Sequence, residues 1–228
     1  MESLTHDQIT MDIFSSTSRG KNLGLTNHTI ITGGFITELV DAALCKSNLR
    51  KIDRYTGPHF IYILGGLPDT TVMLKDSRYE EVIFKDTANK KSQELISTYL
   101  DANYKIRSAG AIPVFSTITT MSINDWNSER YRQRKTSYLI HTPYYEDMQP
   151  HLNSTLDIVN SQIFVMNDVN GVETPHFAGS VRTKRGEGQG YRTRYYRLAD
   201  GVHPVKEVIT EWKSSLGRIV AANREMHS

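Results

Sequence analysis

The 228-residue sequence contains one cysteine, Cys45, which excludes an internal disulfide. It has no run approaching the ~18 apolar residues of a helical membrane span, and residues 1–7 lack the basic-then-apolar order of a secretory signal. The expectation is an intracellular chain, cytoplasmic or nuclear, with no membrane partner. A dominant charge is missing too. The 27 Lys and Arg stand against 25 Asp and Glu, a net charge of +2, so affinity for nucleic acid has to come from local clustering. The histidines are scattered without ligand-like spacing, which predicts no metal site. The glycine run from Gly186 lacks the preceding strand and the Lys-Ser/Thr ending of a phosphate-binding loop, and no cofactor is expected. What the chain does have is 38% hydrophobic residues, enough for one compact core.

Residues 1–24 are polar and read as a lead-in to a single domain over 25–228. The spacing predicts a buried strand over 29–32, a Gly33-Gly34 turn and an amphipathic helix carrying Phe35, Ile36, Leu39, Val40, Ala43 and Leu44, with Cys45 buried in its apolar run. A second strand over 60–64 leads to the turn Gly65-Gly66-Leu67-Pro68-Asp69. A hairpin around Asp76-Ser77-Arg78 follows, then a helix with Leu95, Ile96, Tyr99, Leu100 and Ile106 inward, then a strand over 112–116. A basic helix is expected within 124–140. Another, with Met148, Leu152, Thr155, Val159, Ile163 and Met166 on one face, ends at Asn170-Gly171. A last helix has Pro204 at its first position and a stripe from Val205 to Val220. Alternating strands and helices imply a three-layer α/β/α domain with a parallel sheet, whose functional crevice lies beyond the carboxyl ends of the strands.

Three segments should reach that crevice: Gly33-Gly34-Phe35, the turn at 65–69, and Asp200-Gly201-Val202-His203-Pro204 before the last helix. In order and placement they resemble the Gly-Asp-Ser, Gly-x-Asn-Asp and Asp-x-x-His blocks of the SGNH/GDSL hydrolase family, whose fold is flavodoxin-like. The resemblance covers roughly residues 28–222 and implies that Asp200 orients His203 as a general base. It also puts Phe35 where the family has its serine and Pro68 where it has its oxyanion asparagine. Phenylalanine has no nucleophilic atom, and proline offers neither an amide side chain nor an N–H, so a catalytically degenerate domain used for binding is expected. The alternative is an ester hydrolase with a rearranged site, using Ser116 or Thr37. Read without the resemblance, Asp200-Gly201 is simply a turn whose side chains cap the next helix, and Gly33-Gly34 either a tight turn or an anion seat at the helix start.

The segment 182–197 gathers Arg182, Lys184, Arg185, Arg192, Arg194 and Arg197 around one acid, Glu187, with Tyr191, Tyr195 and Tyr196 interleaved. Arg130, Arg132, Arg134 and Lys135 form a second cluster. Arginine and tyrosine together grip phosphates and stack on bases, so single-stranded nucleic acid is the expected partner; a solvated hairpin is the structural alternative. The run Gly-Leu-Pro-Asp, the strand Ala-Gly-Ala-Ile-Pro-Val-Phe-Ser-Thr-Ile and the ending Asp-Gly-Val-His-Pro also look like SGNH-type domains of animal mobile elements, where such domains accompany nucleic-acid-binding proteins.

Overall fold

The computed structural model describes residues 28–32, 34–54, 57–75, 80–84, 86–134, 142–184 and 191–227. The lead-in, Gly33, the Asp76-Ser77-Arg78 turn, Lys135 and residues 185–190 lie outside them.

Three strands form a parallel sheet in the order β1, β2, β5, with β1 at His28–Thr32, β2 at Phe60–Leu64 and β5 at Ile112–Phe115. In register, Thr29 faces Ile61 and Ile61 faces Pro113. All five residues of β2 are buried, because successive side chains point to opposite faces and both faces are covered. Ile61 and Ile63 join one core with α1 (Ile36–Ala43), α3 (Ala88–Ser108) and α5 (Thr142–Val169). Phe60, Tyr62 and Leu64 join another with Leu216, Ile219 and Val220 of α7 (Lys206–Met226). The chain is thus an α/β protein with helices on both sides of a parallel sheet. The hairpin β3 (Val72–Lys75) and β4 (Glu80–Ile83) is antiparallel, as is β6 (Arg182–Lys184) with β7 (Tyr191–Thr193), which follows the single turn α6 (Ala178–Val181).

Three local expectations need correction. The first helix ends at Ala43, and a separate α2 (Lys46–Arg54) starts behind Cys45. The apolar stripe stops with the helix, so Cys45 is exposed, its Sγ 3.1 Å from Ser47 Oγ. In α3, Leu100 points outward, 52% exposed, while Ala102 takes the buried position. Pro204 does not open the last helix; it is buried and bridges to Leu198, and Val205 precedes the first helical residue. The basic helix is described as α4 at Ile123–Arg134, and the rest of its expected range lies outside the described residues.

The outer edge of β5 has no fourth strand among the described residues; α5 covers it with side-chain amides. Asn170 donates to Pro113 O (3.2 Å). Asn167 accepts from Phe115 N–H (3.0 Å) and donates to Phe115 O (2.7 Å). Asn160 makes the same pair of bonds to Ile118 (2.7 and 2.9 Å). Asn153 accepts from Thr120 Oγ1 (2.6 Å), and Gln149 accepts from Ile123 N–H (2.9 Å) and donates to Met121 O (2.9 Å). Asn153, Asn160 and Asn167 are seven residues apart, two helical turns, so they share one face and meet successive residues of the antiparallel segment, Asn160 and Asn167 at its backbone and Asn153 at the Thr120 hydroxyl. A buried strand edge is thereby satisfied without another strand.

Candidate functional site

The carboxyl ends of the three strands are tied together by specific contacts. At the end of β1, Gly34 has a positive φ of 81° and α1 starts at Ile36. Asp69, in a 3-10 turn at Pro68–Thr70, accepts the Ile36 N–H with Oδ2 at 3.0 Å. Glu38 accepts the Phe35 N–H at 3.2 Å. The helix start is therefore not the anion seat that its glycine turn allowed: two of its first N–H groups already face carboxylates, which repel an anion. Burial pushes the Asp69 carboxyl above its ordinary range, against the pull of the Ile36 N–H. Gly66 approaches so closely that a Cβ there would lie 2.4 Å from Tyr99 Oη and 3.3 Å from Ile118 Cδ1.

Phe35 stands at the residue preceding α1 and is 47% exposed. Ser116 is buried at the end of β5, and Thr37 is exposed on α1.

Asp200 and His203 form a pair within the loop before α7. Asp200 Oδ2 is 2.6 Å from His203 Nδ1, while Oδ1 accepts the N–H groups of Val202 (3.1 Å) and His203 (2.8 Å). One carboxylate thus fixes the turn and the orientation of the ring at once: Nδ1 is engaged, and Nε2 has no protein partner among the described residues. The aspartate caps its own turn and not the following helix. Burial opposes the Asp200 charge, but hydrogen bonds from the His203 side chain and backbone outweigh it and hold its pKa below the ordinary 3.8. A depressed carboxylate adds stability above its unfolded pKa and loses it as pH falls through the folded value. Asp200→Asn keeps the Oδ1 acceptor and removes the charge. The two proteins should therefore differ in denaturant midpoint at neutral pH and begin to converge as pH falls below about 4, the unfolded carboxylate pKa, towards the lower folded value; a difference independent of pH would contradict the depressed carboxylate.

The loop is anchored to the start of α4. Ser122 N–H donates to Gly201 O at 2.7 Å, and Ser122 Oγ accepts from Asp125 N–H at 3.2 Å. The Trp126 ring lies 5.8 Å from the His203 ring, and the Arg130 guanidinium sits 4.5 Å from the Trp126 centroid. Trp126 has no motif around it; its place one turn into a helix that follows a strand end is the only sequence signal for it.

The basic residues divide. Arg182 is nearly buried, donating to Asp157 Oδ2 (2.8 Å) and Asn153 O (2.9 Å). Arg197 pairs with Glu211 and Arg132 with Glu129. These three cations already face carboxylates: Arg182 and Arg197 meet acids on helices packed against them, and Arg132 pairs within its own helix, three residues from Glu129. Arg192 is exposed on β7, Arg194 follows two residues later, and Tyr196 is 76% exposed. Arg134 and Lys184 are placed by their backbones in α4 and β6, and Arg185 lies outside the described residues. No helix among the described residues is long and apolar enough to cross a membrane, and no group of three His, Cys, Asp or Glu among them is placed to hold a metal.

No family model and no curated protein matches the chain. Among solved structures it is similar to a GDSL-like lipase from Bacteroides thetaiotaomicron, with a TM-score of 0.48 and 10% identity over 91% of this chain and 97% of that one.

Proposed function

We propose that this chain is a catalytically degenerate SGNH-hydrolase-like domain that binds single-stranded nucleic acid and performs no serine hydrolysis. The observation that carries the loss of hydrolysis is at the start of α1. Phe35 occupies the nucleophile's place in the sequence resemblance, and the N–H groups of Phe35 and Ile36 are held by Glu38 and Asp69. A tetrahedral oxyanion needs free donors where these carboxylates sit. The Asp200–His203 pair then has a base but no serine to deprotonate.

Nucleic acid is supported by the chemistry of the hairpin β6–β7. Arg192 and Arg194, with the exposed ring of Tyr196 beside them, offer phosphate contacts and a stacking surface. The likeness of three sequence runs to SGNH-type domains of mobile elements agrees with that partner. On the hairpin itself Arg182 is spent on Asp157 and Arg197 shares its fork with Glu211, so Lys184, Arg185, Arg192 and Arg194 are taken as the hairpin's contacting set.

If those four each reach a phosphate, fluorescence anisotropy on a labelled oligo-dT should give a log–log salt slope of about −2.8, from ~0.7 per contact. Arg192→Ala with Arg194→Ala should flatten it by about 1.4 and weaken all sequences alike. Binding that ignores salt or the double replacement would remove nucleic acid from the reading. The second reading, an ester hydrolase with a rearranged site, rests on the free Nε2 of His203. Turnover of short acyl esters that disappears in His203→Ala would establish it in place of the first.

A further inference from the structure

A surface pocket of about 480 Å³ is lined by His176, Ser180, Arg182, Thr183, Arg197 and Glu211. We infer that this pocket is a seat for one phosphate group, gripped chiefly by Arg197; the inference rests on the nucleic-acid reading above and names a site for a phosphate within it.

Three guanidiniums and two carboxylates meet here. Asp157 is taken by Arg182, and Glu211 by Arg197. Arg194 lies near enough to act on Glu211 as well. One positive charge is left in excess. The hydrogen bond from Arg197, helped by Ser180 and Arg194, holds the Glu211 carboxyl below its ordinary range, so it is ionised and its acceptor capacity is engaged.

The donors are unevenly spent. Arg197 uses Nη2 on Glu211, and its Nε and Nη1 have no protein partner among the described residues. A guanidinium carries five N–H donors in a planar fork suited to a phosphate, so most of that fork remains for a ligand. Thr183 lines the same pocket. His176 adds an imidazole that burial holds toward its neutral form, with Nδ1 3.4 Å from Thr117 Oγ1. Thr117 Oγ1 accepts the Ala178 N–H at 2.9 Å and donates to Pro175 O at 3.4 Å. The ring lies directly over Gly179, where any Cβ would stand 2.6 Å from it. Glycine at 179 is thus what lets His176 lie against the pocket wall.

Glu211 is the internal competitor for Arg197, and this makes the test directional. Its side chain is half exposed, so Glu211→Gln should fold. The replacement removes a like charge beside the bound phosphate and leaves Nη2 only a neutral amide oxygen to compete with it. It should tighten binding about three- to tenfold, the effect of one near charge in a partly solvated site. Arg197→Ala should weaken binding about tenfold or more, the loss of a charge-assisted fork. Two probes separate the sources of phosphate: inorganic phosphate, followed by calorimetry, and a 5′-phosphorylated oligo-dT, followed by anisotropy.

Tightening by Glu211→Gln of either probe, with weakening by Arg197→Ala where that variant folds, supports the seat. No binding of inorganic phosphate together with unchanged oligonucleotide affinity in Glu211→Gln overturns it. In that case a loss in the Arg192→Ala, Arg194→Ala protein would leave the hairpin reading intact. Phosphate binding with the expected opposite shifts, but no oligonucleotide binding, would keep the seat and overturn the nucleic-acid reading instead.

Discussion

Gly201→Ala is expected to lower the melting temperature by about 10 °C and to detach His203 from Trp126. Gly201 has φ 86°, where an L side chain is strained by about 1–2 kcal/mol. Its Cβ would fall 2.7 Å from Trp126 N and 2.8 Å from Ser122 O, and both are backbone atoms that cannot rotate away. The loop must therefore lift off the start of α4. It then gives up the Ser122 N–H bond to Gly201 O, a further 1 kcal/mol or so. Poorer packing beneath the lifted loop brings the total to about 3–4 kcal/mol, and at about 2–4 °C per kcal/mol for a chain of this size the shift follows. Gly34→Ala is the control. Its φ is 81°, but the nearest atom is the movable Glu38 carboxylate at 3.1 Å, so about 1–2 kcal/mol of backbone strain is all it should show. Calorimetry of both variants, with tryptophan fluorescence to follow Trp126, decides the matter; equal shifts would mean that the loop is not seated as described.

That seating explains how much of the site is legible in the sequence. The Asp200–His203 bond is legible because both partners lie in one short loop, three residues apart, where a motif and a turn coincide. The three parallel strands are legible because β2 is buried on both faces and reads as an unbroken apolar run. Cys45 is misplaced by its sequence context because an apolar stripe does not reveal where one helix stops and the next begins. The engagement of Arg182 and Arg197 is not legible, since their acids, Asp157 and Glu211, are 25 and 14 residues away and are chosen by packing. A cluster of cations in sequence thus overstates the cations that remain for a ligand. The asparagines of α5 do leave a signal: Asn160 and Asn167 sit on the face that carries Val159, Ile163 and Met166, and polar residues in an apolar stripe need a buried partner. Which backbone they serve is decided only by the fold.

Their importance is measurable. Asn167→Ala should cost about 3–5 kcal/mol, more than an average core truncation, because it leaves Phe115 N–H and Phe115 O without partners in a dry place, at about 1–3 kcal/mol each, and opens a small cavity besides. Asn167 is fully buried, and its Nδ2 also donates to Thr174 Oγ1 at 3.0 Å, so no water path offers an easy substitute. The damage should not stay local. Phe115 begins the stretch that continues through Ile118, held by Asn160, to Ser122, which carries Gly201 and with it the Asp200–His203 loop. Slackening the β5 edge therefore loosens the support of His203 from beneath. Asn167→Asp is the discriminating partner: it restores an acceptor for Phe115 N–H but places a carboxylate against Phe115 O, so it should be no more stable than alanine near neutral pH and should recover as the acid is protonated. Urea denaturation gives the free energies, and amide exchange at Phe115 and Ser122 reports the propagation. A loss under about 1 kcal/mol for Asn167→Ala, the net worth of one ordinary hydrogen bond, would show that α5 merely lies beside the strand and does not complete its edge.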